Sequence, residues 1–128
     1  MWLILFLTLL PQAAPALDFD VFKDKIQPLL AEKRPGHARC ITCHSTGTAF
    51  RLVRLPKGRS TYTDDESRKN FDAVARVVLP GVPLKSRLLT MPLKHEAGGT
   101  EFHPGGKHWD SQADPEWKTL ADWVNRAR

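Results

Sequence analysis

Both cysteines of this chain fall inside five residues, Cys40-Ile41-Thr42-Cys43-His44. That placement limits the fold more than any other feature. Two thiols so close together cannot staple distant parts of a small domain, which excludes a disulfide framework of the small secreted kind. They are also too few for a four-thiolate zinc site. The chain must cohere through an apolar core, or through a group that this segment binds. Its 128 residues suit one domain. A composition of 41% hydrophobic and 26% charged residues is globular and excludes disorder throughout.

The spacing has a chemical reading. Cys-x-x-Cys-His is the attachment sequence for a c-type haem. Thiols three positions apart on a helical turn, here Cys40 and Cys43, reach the two vinyl groups on one edge of a porphyrin. His44 then lies under the iron and offers it an imidazole nitrogen. Covalent bonds retain a cofactor that so small a protein could not otherwise enclose. Competing readings explain less. A dithiol oxidoreductase expects a βαβ setting, and no strand pattern precedes Cys40. Zinc would need two more ligands from distant histidines and gives His44 no particular place. A disulfide across so short a loop stabilises little.

The first sixteen residues differ from the rest. Met1 to Ala16 carries no charge, and Trp2 to Leu10 is apolar apart from Thr8. The run is short for a bilayer span. It has the length of a signal-peptide core, and Ala14-Pro15-Ala16 is a small-x-small cleavage site. The basic residue usual before such a core is missing. The expectation is a signal peptide over 1–16 and an exported domain over 17–128, periplasmic or outside the cell. No stable membrane span then remains after cleavage, and no cysteine sits near the site to carry a lipid. Export agrees with haem, whose covalent attachment is completed outside the cytoplasm. Nineteen Lys+Arg against fourteen Asp+Glu give a net charge of +5. They are scattered, so nucleic acid is not an expected partner.

Helical periodicity places the elements. Phe19, Phe22, Ile26, Leu29 and Leu30 line one face of a first helix capped by Asp18, and Pro28 should kink it or end its regular ladder. Arg34-Pro35-Gly36 is a turn. Ser45 to Thr63 reads as loop with a short hairpin turning at Pro56-Lys57-Gly58. Asp64 to Leu79 reads as a helix capped by Asp64, with Phe71, Val74, Ala75 and Val78 inward. Leu84 to Leu89 suits a short helix with Pro83 in its first turn. Thr90 to Asp110 is a Gly- and His-rich loop, and loops of that length are usually functional. A last helix starts at Asp114-Pro115-Glu116 and buries Trp117, Leu120, Ala121 and Val124.

A second axial ligand would come from the same loop. Methionine and histidine are the usual choices. Met91 is the only methionine left once Met1 departs, and Pro92 beside it would stiffen its setting. A methionine packed beside Leu88 and Leu89 is the plainer alternative. His103 is the runner-up ligand, ahead of His95 and His108, while His37 belongs at the surface or near a haem edge. Trp109, Trp117 and Trp123 suit core or haem-wall positions. Tyr62, Arg51 and Arg54 could meet haem propionates but read first as solvated loop residues. The two Gly-Gly pairs around His103 resemble a metal loop only superficially.

In this order the motifs resemble a class I c-type cytochrome, and more narrowly the planctomycete-type cytochrome c domain. The likeness runs through Phe22 to Leu30, Cys40 to His44, Pro80-Gly81-Val82-Pro83, Ser86 to Leu89, Met91-Pro92, and Leu120 with Trp123-Val124. It covers nearly all of residues 19–127. Met91-Pro92-Leu93 departs from the family's Met-Pro-Pro, and Gly98 to Gly106 is an insertion. The resemblance implies an all-α domain of three to four helices around one covalent haem c, with the first and last helices packed together. It implies an electron carrier rather than an enzyme, cycling ferrous and ferric iron. Basic charge would favour redox partners with acidic docking surfaces. The rival from another class is a haem-based sensor or small-ligand binder, which would need an open or easily displaced sixth position.

Overall fold

The computed structural model describes residues 13–47 and 49–127. Residues 1–12, which hold most of the expected signal peptide, lie outside them; residues 13–16 are exposed and irregular. Among the described residues the architecture is all-α, with no strand and one isolated bridge, Leu93 to Trp109. No helix of these residues is long and apolar enough to cross a membrane.

Helix α1 spans residues 19–31, and Asp18 caps it by accepting the Val21 N–H at 2.9 Å. Its middle, Phe22–Ile26, is a π-turn in which the Gln27 N–H reaches back to the Phe22 carbonyl. Pro28 follows at once, in the segment Gln27–Ala31. A proline lacks its N–H and crowds the carbonyl one turn back. The wider turn absorbs that conflict, so the helix passes Pro28 and still buries Phe22, Ile26 and Leu30.

Helix α2 is the single turn Cys40–Cys43, with His44 as its C-cap. The chain then runs as loop. The Pro56 turn forms, with the Arg59 N–H on the Pro56 carbonyl at 3.1 Å, but no hairpin ladder flanks it. The donors that a ladder would need go elsewhere: Leu52 N–H to the His44 carbonyl at 2.6 Å, and Val53 N–H to Asn70 Oδ1 at 2.7 Å.

Helix α3 is Asp64–Ala75. Its cap is Thr63 rather than Asp64, in a reciprocal box with Glu66. It stops at Ala75 rather than Leu79 because tertiary partners take the next groups. The Val77 carbonyl accepts from Leu88 N–H at 3.0 Å, and the Leu79 N–H donates to Ser86 Oγ at 3.0 Å. The same Ser86 divides the expected helix before Met91 into a 3₁₀ turn, Pro83–Lys85, and helix α4, Arg87–Thr90. Helix α5, Pro115–Asn125, starts as its sequence predicts, with Asp114 Oδ1 accepting the Glu116 N–H at 2.9 Å.

The first and last helices pack together. Phe22 and Trp123 rings lie 5.7 Å apart, and Trp123 Nε1 donates to the Asp18 carbonyl at 2.9 Å. Phe71 of α3 meets Phe19 and Phe22 edge-on at 5.3 and 5.4 Å. Beneath them Gln27 Nε2 donates to Ser67 Oγ and Asn70 Nδ2 to Gln27 Oε1, both at 2.9 Å, so the polar groups buried between α1 and α3 are paired. Each fully buried Ile26, Leu89, Leu93 or Leu120 contributes about 2 kcal/mol by leaving water.

Candidate cofactor site

The single turn of α2 presents Cys40 and Cys43, and its closing bond, His44 N–H to the Cys40 carbonyl at 3.0 Å, sets the His44 backbone directly beneath them. The His44 ring is fixed in turn. Its Nδ1 lies 3.0 Å from the Phe50 carbonyl and its ring centre 4.7 Å from that of Phe50. A carbonyl can only accept, so Nδ1 carries the proton and the neutral ring keeps its lone pair on Nε2. Burial pushes the His44 pKa below its ordinary 6.5; the Phe50 carbonyl opposes that, and His103 adds to it. The ring is therefore neutral at physiological pH.

Burial also pushes the Cys40 thiol up to about 11. Reactive dithiols work the other way, through lowered thiol pKa values, and α2 follows a helix and a turn rather than a strand. No cluster of three or more His, Cys, Asp or Glu suited to a metal ion occurs among the described residues.

A cavity of about 250 Å³ opens beside the motif. Cys40, Cys43 and His44 line it, and so do both candidate second ligands, Met91 and His103. Leu30, Phe50, Val77, Leu88 and Trp109 give it apolar walls. Arg39, Arg87 and Lys107 bring positive charge to it, and no carboxylate of the described residues lines it. Those residues fit a flat, mostly apolar group that carries acidic substituents and two points of thiol attachment.

The loop from Met91 to Lys107 supplies one side of the cavity. His103-Pro104-Gly105-Gly106 closes a tight turn, with the Gly106 N–H on the His103 carbonyl at 3.0 Å. Pro at the second position and Gly105 at φ 86° are what a type II turn needs. The turn lies against the motif: a Cβ on Gly105 would sit 3.9 Å from the Cys43 sulfur. His103 Nδ1 donates to the Gly106 carbonyl at 2.8 Å, and its ring lies 6.3 Å from that of His44, inclined by 23°. The Lys107 ammonium gathers the loop ends, donating to the Met91 carbonyl at 2.9 Å, to Thr100 Oγ1 at 3.1 Å and to the Thr100 carbonyl.

A polar cluster braces the far wall. Glu116 Oε2 receives Arg34 Nη1 at 3.1 Å and Trp109 Nε1 at 3.2 Å, and lies 3.4 Å from His108 Nε2. Arg34 also pairs with Asp114 at 2.9 Å, and His37 meets the His108 ring at 5.1 Å. Glu116 thereby holds Trp109 and His108 at the cavity.

The sequence-level candidates divide accordingly. His37, His103 and His108 reach the cavity, whereas His95 is exposed elsewhere, on the Gly99 carbonyl at 3.2 Å. Trp109 is a wall residue, while Trp117 and Trp123 are core. Arg51, Arg54 and Tyr62 are not among its lining residues; Arg54 donates instead to Ser45 Oγ at 3.0 Å. The cations at the cavity are Arg39, Arg87 and Lys107, each next to a motif already singled out, and that adjacency was the available signal. No family model, curated protein or solved structure matches the chain.

Proposed function

We propose that this chain is a mono-haem c-type cytochrome, exported and acting as an electron carrier, with one haem c per chain. The observation that carries the reading is the shared cavity of Cys40, Cys43, His44 and the 91–107 loop, with apolar walls and with Arg39, Arg87 and Lys107 but no carboxylate of the described residues among its lining. When bound, the haem supplies an iron that exchanges one electron between ferrous and ferric states. The rest is the work of the chain. Cys40 and Cys43 would each give their hydrogen to one vinyl carbon as the sulfur bonds the other, a net addition that needs no oxidant. His44 would bind iron through Nε2, its ring set by Phe50. Met91 and His103 both line the cavity, and either would supply a second ligand. Leu30, Phe50, Leu88 and Trp109 would exclude water from the haem, and Arg39 and Arg87 would offset its acidic substituents. The resulting surface, basic overall, suits acidic redox partners.

Expression in a host competent for c-type maturation tests the reading. The mature protein should begin at Leu17, and its haem should survive acid-acetone extraction at one per chain. Replacing Cys40 and Cys43 together by alanine should abolish holoprotein. Zinc in place of haem would overturn the assignment. Rapid carbon monoxide binding by the reduced wild-type protein would favour a sensor over a carrier.

A further inference from the structure

We infer that His103, and not Met91, is the second axial ligand to the haem iron; the inference rests on the haem assignment. The carrying observation is the relation of two rings. The ring centres of His44 and His103 are 6.3 Å apart and the ring planes are 23° from parallel. Two metal–imidazole bonds of about 2 Å in line, with about 1 Å from each bonding nitrogen to its ring centre, require a separation of about 6 Å. The observed centre separation matches that of two imidazoles sharing one metal atom.

Hydrogen bonding makes the two rings equivalent. His44 Nδ1 is held by the Phe50 carbonyl at 3.0 Å, and His103 Nδ1 by the Gly106 carbonyl at 2.8 Å. In each ring the carbonyl fixes the proton on Nδ1 and leaves the lone pair on Nε2. Metal-binding histidines are oriented by this kind of carbonyl contact.

The backbone adds a third argument. Pro104 and Gly105 make His103 the first residue of a rigid turn, and Gly105 packs toward the Cys43 sulfur. The ring is thus referenced to the motif itself. Met91 is placed differently: it is the C-cap of α4, with its carbonyl held by Lys107 at 2.9 Å. We assign its side chain to the cavity wall.

Two imidazoles donate more electron density to ferric iron than an imidazole and a thioether do, so the potential falls relative to a methionine-ligated site.

Spectra of the holoprotein test this without a variant. The ferric protein should be low-spin, with a rhombic paramagnetic resonance spectrum as expected for nearly parallel imidazoles. It should lack the weak long-wavelength sulfur-to-iron band. The reduced protein should show no methionine methyl resonance shifted far upfield by the haem ring current. Reduced His103→Ala should bind one carbon monoxide per haem, whereas wild type and Met91→Leu should bind none. His103→Met should stay low-spin with a raised potential. A shifted methionine methyl in wild type, with carbon monoxide binding gained in Met91→Leu and not in His103→Ala, would overturn the inference while leaving the haem assignment intact. Holoprotein without covalent haem would overturn the assignment itself.

Discussion

Single residues carry several of the costs of building this site. Ser86 is fully buried, and its hydroxyl accepts from the Leu79 N–H while lying 3.2 and 3.0 Å from the Leu79 and Val82 carbonyls. Ser86→Ala strands the amide and should cost about 2 kcal/mol in urea unfolding. Two loop glycines predict different outcomes. A Cβ on Gly99 would lie 1.9 Å from the Leu93 carbonyl oxygen, a backbone clash that no side-chain rotation relieves. Gly105 clears its neighbours and needs only its positive φ of 86°. Gly105→Ala should therefore cost about 1–2 kcal/mol, and Gly99→Ala clearly more, with thermal melts separating the two. The sequence offers His103 as the runner-up to Met91, but its 6.3 Å separation from His44 was beyond it, because nothing local joins residues so far apart. Yet proline stiffens His103-Pro104 as it does Met91-Pro92, and that parallel was legible.

At the scale of elements, periodicity identified α1, α3 and α5 because each must bury a stripe, whereas their ends were settled by competition for hydrogen bonds. Thr63 outdid Asp64 as a cap because only Thr63 stands three residues before Glu66. The hairpin around Pro56 was lost because Leu52 and Val53 spend their N–H groups on His44 and Asn70. The π-turn answers Pro28 from upstream, where composition gives no sign of it. The box itself is testable. Thr63→Ala should cost about 1 kcal/mol. Arg59, and then the Thr63 N–H, hold the Glu66 carboxylate below its usual 4.5. A lowered folded pKa means that the contribution is fully present above about 4.5 and drains as pH falls through the lowered value. Stability curves of wild type and Glu66→Gln should be separated at neutral pH and converge in acid.

For the whole molecule, charge sets the reach of the proposed function. A net +5 should speed electron exchange with an acidic partner at low salt, and the rate should fall several-fold as ionic strength rises past about 0.1 M. Exchange with a basic partner should show no such fall. The all-α packing was readable because the apolar stripes of α1 and α5 demand each other; the cavity was not, because its walls come from segments spread from Leu30 to Trp109. The buried tryptophans give the protein a built-in lamp. Trp109, Trp117 and Trp123 are buried at 2%, 6% and 4% exposure, and Trp109 lines the cavity itself. A porphyrin in that space would absorb at the wavelengths where indoles emit, so each chain should glow before the haem arrives and go dark once it is seated. Ultraviolet emission alone would then count loaded against empty chains, with no label attached.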